Sequence, residues 1–226
     1  MSEHEKSAPP SERLYFDEHQ WITVEAAMTR IIPTDDTAGA REAGAIRFLD
    51  RYLSGIDYIY AKPDGSGFKK LSGKIAASWQ ERIETLRQRY REGVQEMDSR
   101  SRDLFSTEFY LLRPEQQDRV LSAMENPKFE EKASAEQASA GFAPPTPAAM
   151  QQYETETDLD FFQMLVLHTR QGFYSDPIYG GNRGHVGWQV IGFHGPQSMT
   201  EVHSGAYSTL PYFAHAATGS EEGGNG

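Results

Sequence analysis

The chain has 226 residues, 38% of them hydrophobic and 12% aromatic, with no cysteine and a formal net charge of -11. That many large apolar side chains can offset the entropy of ordering the backbone, so one folded domain is expected. The charge opposes binding to nucleic acid or anionic lipid, and the lack of cysteine excludes disulfides, thiolate-held iron–sulfur clusters, c-type haem and a cysteine nucleophile.

Residues 1–14 are polar, contain Pro9-Pro10 and read as a flexible arm. They carry neither a paired-arginine motif nor an apolar signal core, so the chain on its own evidence is expected to be cytoplasmic. No apolar run reaches the ~20 residues needed to span a bilayer. Asp17 with Gln20 three residues later forms a capping-box pattern, and Trp21, Val24, Ala27 and Met28 recur at helical spacing, which predicts a helix from about Glu18 to Arg30. Ile31-Ile32-Pro33 ends it. Thr34, Asp35 or Asp36 is expected to cap a second helix with Ala43, Ile46, Leu49, Tyr52 and Leu53 inward.

Lys62 to Gly67 reads as a loop. Ile75, Trp79, Ile83, Leu86, Tyr90, Val94 and Met97 then predict a long amphipathic helix from about Ser72 to Ser99. Its other face, with Glu81, Arg82, Glu84, Arg87, Arg91, Glu92 and Glu96, is expected to be solvated and ion-paired. Pro114 suits the first turn of a helix to Met124 that buries Val120, Leu121 and Met124. An Ala/Pro-rich loop covers 133–150. Asp158 is expected to open a last helix through Phe161, Phe162, Leu165, Val166 and His168, closed near Gly172 by a left-handed cap. Trp188 to Ile191 is expected to be a short strand, and 197–226 an irregular extension and tail. The whole reads as a mainly α, single-domain helical bundle over 15–196 with a long irregular Gly/aromatic-rich C-terminal segment.

The stretch from Gly172 to Pro196 combines glycines with Phe173, Tyr174, Tyr179, Trp188 and Phe193. Glycine allows close chain approach and aromatics give large rigid contact areas, so the stretch suits either a protein interface or a loop packed on its own helices. Interface or interface-shaping residues are expected at Tyr174, Asp176, Pro177, Tyr179, Gly180, Gly181, Asn182 and Trp188, where Trp188 is equally suited to anchoring the core. Gly181 to Gly187 lacks the spacing and flanking strand of a dinucleotide loop. His185, His194, His203 and His215 show no metal-ligand spacing and read as hydrogen-bonding groups, while His168 reads as a satisfied buried or boundary histidine. No GxSxG motif is present. These residues assemble no catalytic constellation and no cofactor or metal site.

Three blocks resemble the gluconate 2-dehydrogenase subunit 3 family. The first is Ile31-Ile32-Pro33-Thr34-Asp35-Asp36 with Gly39-Ala40 and Glu42-Ala43-Gly44, and the second is Phe109 to Gln117 with Val120-Leu121. The third runs from Phe161-Phe162 through Gly172 to Ser175-Asp176-Pro177, Tyr179-Gly180-Gly181-Asn182, Gly187-Trp188 and Ile191-Gly192. The resemblance implies a small, non-catalytic (gamma) subunit that binds, stabilises or helps fold a large FAD-containing partner of the glucose-methanol-choline class, which oxidises a sugar, sugar acid or polyol. Electrons would pass on to a cytochrome c subunit or a quinone. Two features depart from the family pattern: no twin-arginine export signal is visible, and His194 stands where a proline often precedes glycine. An exported partner would place the complex in the periplasm or at the membrane. Two other readings stay open, a stand-alone metal-assisted hydrolase or lyase using the C-terminal histidines with Asp176, and a transient assembly or export chaperone.

Overall fold

The computed structural model describes residues 13–62, 66–125 and 156–195. The Ala/Pro-rich stretch 133–150, the extension 197–226, His203 and His215 lie outside the described residues. Among the described residues there are seven α-helices and no strand. They are α1 (Glu18–Ile31), α2 (Ala40–Ala43), α3 (Ala45–Ser54), α4 (Gly73–Phe105), α5 (Pro114–Met124), α6 (Phe161–Tyr174) and α7 (Val186–Val190).

Helix α1 begins at the capping box expected: Gln20 N–H donates to the Asp17 carboxylate at 2.7 Å, and Asp17 N–H donates to Gln20 Oε1 at 3.2 Å. The next helix starts later than expected and in two pieces. Asp35 turns its carboxylate onto Thr37, whose N–H lies 2.8 Å away, and Gly39 occupies the N-cap. Glu42 reaches back to the Gly39 N–H at 2.9 Å and also accepts from the Thr34 hydroxyl. Gly44, at φ 65°, ends α2 in a left-handed turn and lets α3 leave in a new direction.

Helix α4 is longer than its apolar stripe suggested. Ile83, Leu86, Tyr90, Val94 and Met97 are buried, whereas Ile75 is 60% exposed because the first turns of α4 project beyond the core. Val24 and Met28 of α1, Ile46, Leu49 and Leu53 of α3, Val120 of α5, and Met164 and Leu165 of α6 complete one continuous core with that stripe. The face of α4 read as solvated is partly structural. Arg87 donates to the carbonyls of Leu53 and Ser54, both at 2.7 Å, which satisfies acceptors left open where α3 ends. Arg82 is drawn to a buried carboxylate described below.

Buried carboxylates hold the remaining segments. Asp50 on α3 accepts from the N–H groups of Leu14, Tyr15 and Phe16 at 2.7, 3.0 and 2.8 Å, fixing the chain that leads into α1. Asp98 on α4 accepts from Phe109 N–H at 3.2 Å and contacts His19 Nε2 at 2.6 Å. Gly93 is buried in mid-α4, where a Cβ would overlap the ring of Phe161. Gly93→Ala is therefore expected to lower the melting temperature although alanine is the better helix former. Overpacking costs about 1–3 kcal/mol against at most about 1 kcal/mol of helix propensity. A thermal melt by circular dichroism at or above wild type contradicts this.

Candidate functional site

Helix α6 is capped by Asp160, not Asp158: Gln163 N–H donates to the Asp160 carboxylate at 2.8 Å. The helix passes through Gly172 and ends at Tyr174, so Gly172 is no left-handed cap. A Cβ there would lie 2.8 Å from the Ala45 carbonyl oxygen, and its absence lets α6 cross closely over the start of α3. This close approach is what a glycine near a helix end concealed from a reading based on caps.

Beyond α6 the chain folds back on its own helix end. Asp176 accepts from Ile178 N–H at 2.9 Å and starts a 3₁₀ turn, Pro177–Tyr179, which Gly180 ends at φ 102°. Gly181 then lies directly against the Gly172 carbonyl. Asn182 is fully buried and binds three ways. Its N–H donates to Gly172 O at 2.8 Å, its Nδ2 donates to Ser175 O at 2.9 Å, and its Oδ1 accepts from Gly187 N–H at 2.9 Å. Trp188, 6% exposed, donates its indole N–H to Tyr174 O at 2.7 Å. The expected strand around Trp188 is instead the short helix α7, because Gly187 must lie against the Phe173 carbonyl for the indole to reach Tyr174.

Gly181, Asn182 and Trp188 thus face inward and shape the surface, whereas Tyr174 and Tyr179 reach it. The N–H groups of Asn182, His185 and Gly187 are satisfied within the tract. His185 packs on Trp188 with ring centroids 5.0 Å apart. Among the described residues no group of three or more His, Asp or Glu could hold a metal ion.

What the tract frames is a cleft of about 680 Å³ between α3, the end of α6 and the turns at Ile56–Tyr58 and Pro177–Tyr179. Phe48, Tyr52, Tyr58, Tyr174 and Tyr179 supply its aromatic walls. Phe48 and Tyr52, four residues apart on α3, stack with centroids 6.0 Å apart. Arg51 donates to Ile178 O at 2.9 Å and lies 5.1 Å over the Tyr58 ring, tying α3 to both turns. Arg170 stands exposed at the edge. Of these, the sequence places only Tyr174 and Tyr179 in a contact region and assigns Tyr52 to the inward stripe of its helix, whereas the structure puts the half-buried Tyr52 on the cleft wall. The available signal was Phe48, an aromatic one turn before Tyr52 that the inward stripe leaves unassigned.

Behind the cleft wall lies a closed polar network that sequence reading also missed. Glu156 is buried and receives the Tyr52 hydroxyl at 3.1 Å, Arg82 Nη2 at 2.6 Å and His168 Nε2. His168 is fully buried, and its Nδ1 lies 2.8 Å from the Tyr90 hydroxyl. Burial pushes the Glu156 carboxyl up, but the hydrogen bonds and charges of His168 and Arg82 outweigh it and hold the group at about 2. Burial and then the Glu156 charge push both tyrosine hydroxyls up, so they stay protonated. A His–carboxylate pair could serve acid–base chemistry, but every partner here is internal and the imidazole is closed to solvent. The network joins α3, α4, α6 and the 3₁₀ turn at Glu156–Asp158.

The described residues thus form a helical domain with a self-clasped Gly/aromatic tract and an aromatic cleft beside it. The chain belongs to the gluconate 2-dehydrogenase subunit 3 family, whose model matches residues 18–195. That family supplies a subunit of a multi-subunit dehydrogenase complex. No curated protein and no solved structure matches the chain. Among the described residues no helix is long and apolar enough to cross a membrane.

Proposed function

We propose that this chain is the non-catalytic small subunit of a sugar, sugar-acid or polyol dehydrogenase, where it binds and stabilises, or helps fold, a large FAD-containing subunit of the glucose-methanol-choline class. The observation that carries the reading is the family match, which runs from the first turn of α1 to Gly195 and so includes the whole clasped tract. The conformations of Gly181, Asn182 and Trp188 serve to hold the end of α6 and the Pro177–Tyr179 turn in a fixed shape. A fixed aromatic surface binds a partner with less ordering entropy than a mobile loop would. FAD belongs to the partner on this reading, and electrons leave the complex through a further cytochrome c subunit or a quinone.

Co-expression with the glucose-methanol-choline-type flavoprotein of the same organism tests it. A tag on this chain is expected to recover the flavoprotein, with a flavin absorption spectrum and sugar- or polyol-dependent reduction of an artificial electron acceptor. Recovery of this chain without flavoprotein overturns the reading. Turnover by the isolated chain with a bound metal supports the hydrolase or lyase reading instead, and recovery only before the flavoprotein has matured supports a transient chaperone.

A further inference from the structure

The tract and the cleft are parts of one surface, and the chemistry of the cleft says what it accepts. Five of the eleven residues that line it are aromatic. Among the described residues lining it there is no Asp or Glu, although the chain has 33 acidic against 22 basic residues, and the charges it does carry are Arg51 and Arg170. The cleft is a cationic, aromatic spot on an acidic protein.

Two groups there are chemically unfinished. Arg170 makes no hydrogen bond or ion pair with any described residue, in contrast to Arg51, which is committed to Ile178 O. The Ser175 hydroxyl, on the cleft wall where α6 ends, is closed to solvent and has no hydrogen-bond partner. A buried hydroxyl left without a partner is unfavourable, so an acceptor brought to this wall of the cleft would satisfy it. Tyr174, 38% exposed despite its size, lines the same cleft with its backbone pinned by Trp188.

We propose that this cleft is the docking site for an acidic, aromatic-bearing segment of the flavoprotein subunit. The segment inserts a ring among Tyr52, Tyr58 and Tyr174 and places a carboxylate against Arg170 and Ser175. The proposal rests on the small-subunit reading above and assigns the contact to one face. Tyrosine and arginine are among the residue types that carry most binding energy in protein interfaces. A carboxylate paired with Arg170 would also select for the acidic segment over neutral apolar ones, because only the former satisfies the guanidinium.

The test uses the co-expressed pair, with the full chain in wild-type, Arg170→Glu and Tyr174→Ala forms. Arg170→Glu is expected to lower flavoprotein affinity at least about tenfold. The thermal melt of the isolated chain should stay unchanged, since Arg170 holds nothing within it. Tyr174→Ala is expected to weaken binding as well. A photo-reactive benzoylphenylalanine replacing Tyr174 should cross-link to a flavoprotein peptide containing both an acidic and an aromatic residue. Undiminished binding by both substituted chains, with the wild-type complex intact, overturns the cleft proposal and leaves the small-subunit reading standing. Cross-linking to residues 196–226 of this chain, to a second copy of it, or to a flavoprotein peptide lacking an acidic residue also overturns it. Failure of the wild-type chain to bind the flavoprotein overturns both.

Discussion

Glu156→Ala is expected to destabilise the isolated chain by about 3–5 kcal/mol, because removing one member of a buried ion pair leaves the other without compensation. The carboxylate serves Tyr52, Arg82 and His168 at once, so its loss frees polar groups on α3, α4 and α6 together. Glu156→Gln keeps the shape and some of the hydrogen bonds, and should fall between wild type and alanine. The pH dependence has a definite sign. The folded-state pKa is depressed to about 2, so the stabilisation is fully present above the ordinary glutamate range and is lost as the pH falls towards that value. Urea denaturation from pH 7 to pH 2 should show wild type losing more stability below about pH 5 than Glu156→Gln does. Parallel curves for the two proteins would mean that the carboxylate is not ionised and paired as described.

Gly181→Ala is expected to lower stability by about 1–3 kcal/mol, and Gly181→Arg by more, since any Cβ overlaps the Gly172 carbonyl of the neighbouring helix and backbone must move to relieve it. The Asn182 contacts to Gly172 and Ser175 lie immediately beyond and should loosen together with it. Chemical denaturation midpoints measure this directly, and a midpoint equal to wild type would show that the clasp gives way without strain. The result bears on how docking is tested. Loss of the flavoprotein after a change at Gly181 reports a collapsed tract, whereas loss after Arg170→Glu in a chain that melts normally reports the contact itself.

The parts of this fold that could be read from sequence are those fixed by neighbours in the chain. The Asp17–Gln20 capping box, the stripe from Ile83 to Met97 on α4 and Pro114 at the start of α5 all act within one or two helical turns. Glycines carried the opposite lesson. Gly172 resembles a helix terminator, but its role is set by Ala45, a residue distant in sequence, and Gly44 breaks a helix that its apolar spacing made continuous. Trp188-Gln189-Val190-Ile191 has strand-like composition, but with no neighbouring strand among the described residues to pair with, it closes as helix α7 over the end of α6.

The candidate site divides in the same way. Its framing residues, from Asp176 through Asn182, stand in one short stretch whose turn chemistry is local. The other cleft wall, Phe48, Arg51 and Tyr52, belongs to a helix read only for its core face, and Arg170 had no sequence signal beyond being one arginine on α6. Glu156 and His168 lie 12 residues apart, but Arg82 stands 74 residues from Glu156 and Tyr90 stands 78 from His168, and the packing of α4 against α6 brings these pairs together.

On the proposed function, the chain works as a lasting subunit of a flavoprotein dehydrogenase. Native mass spectrometry of the flavin-absorbing, catalytically active species purified from co-expressing cells tests it most directly. This chain and the FAD-bearing subunit are expected together at equal stoichiometry in that species. An active flavoprotein of the same turnover and stability that lacks this chain would contradict it.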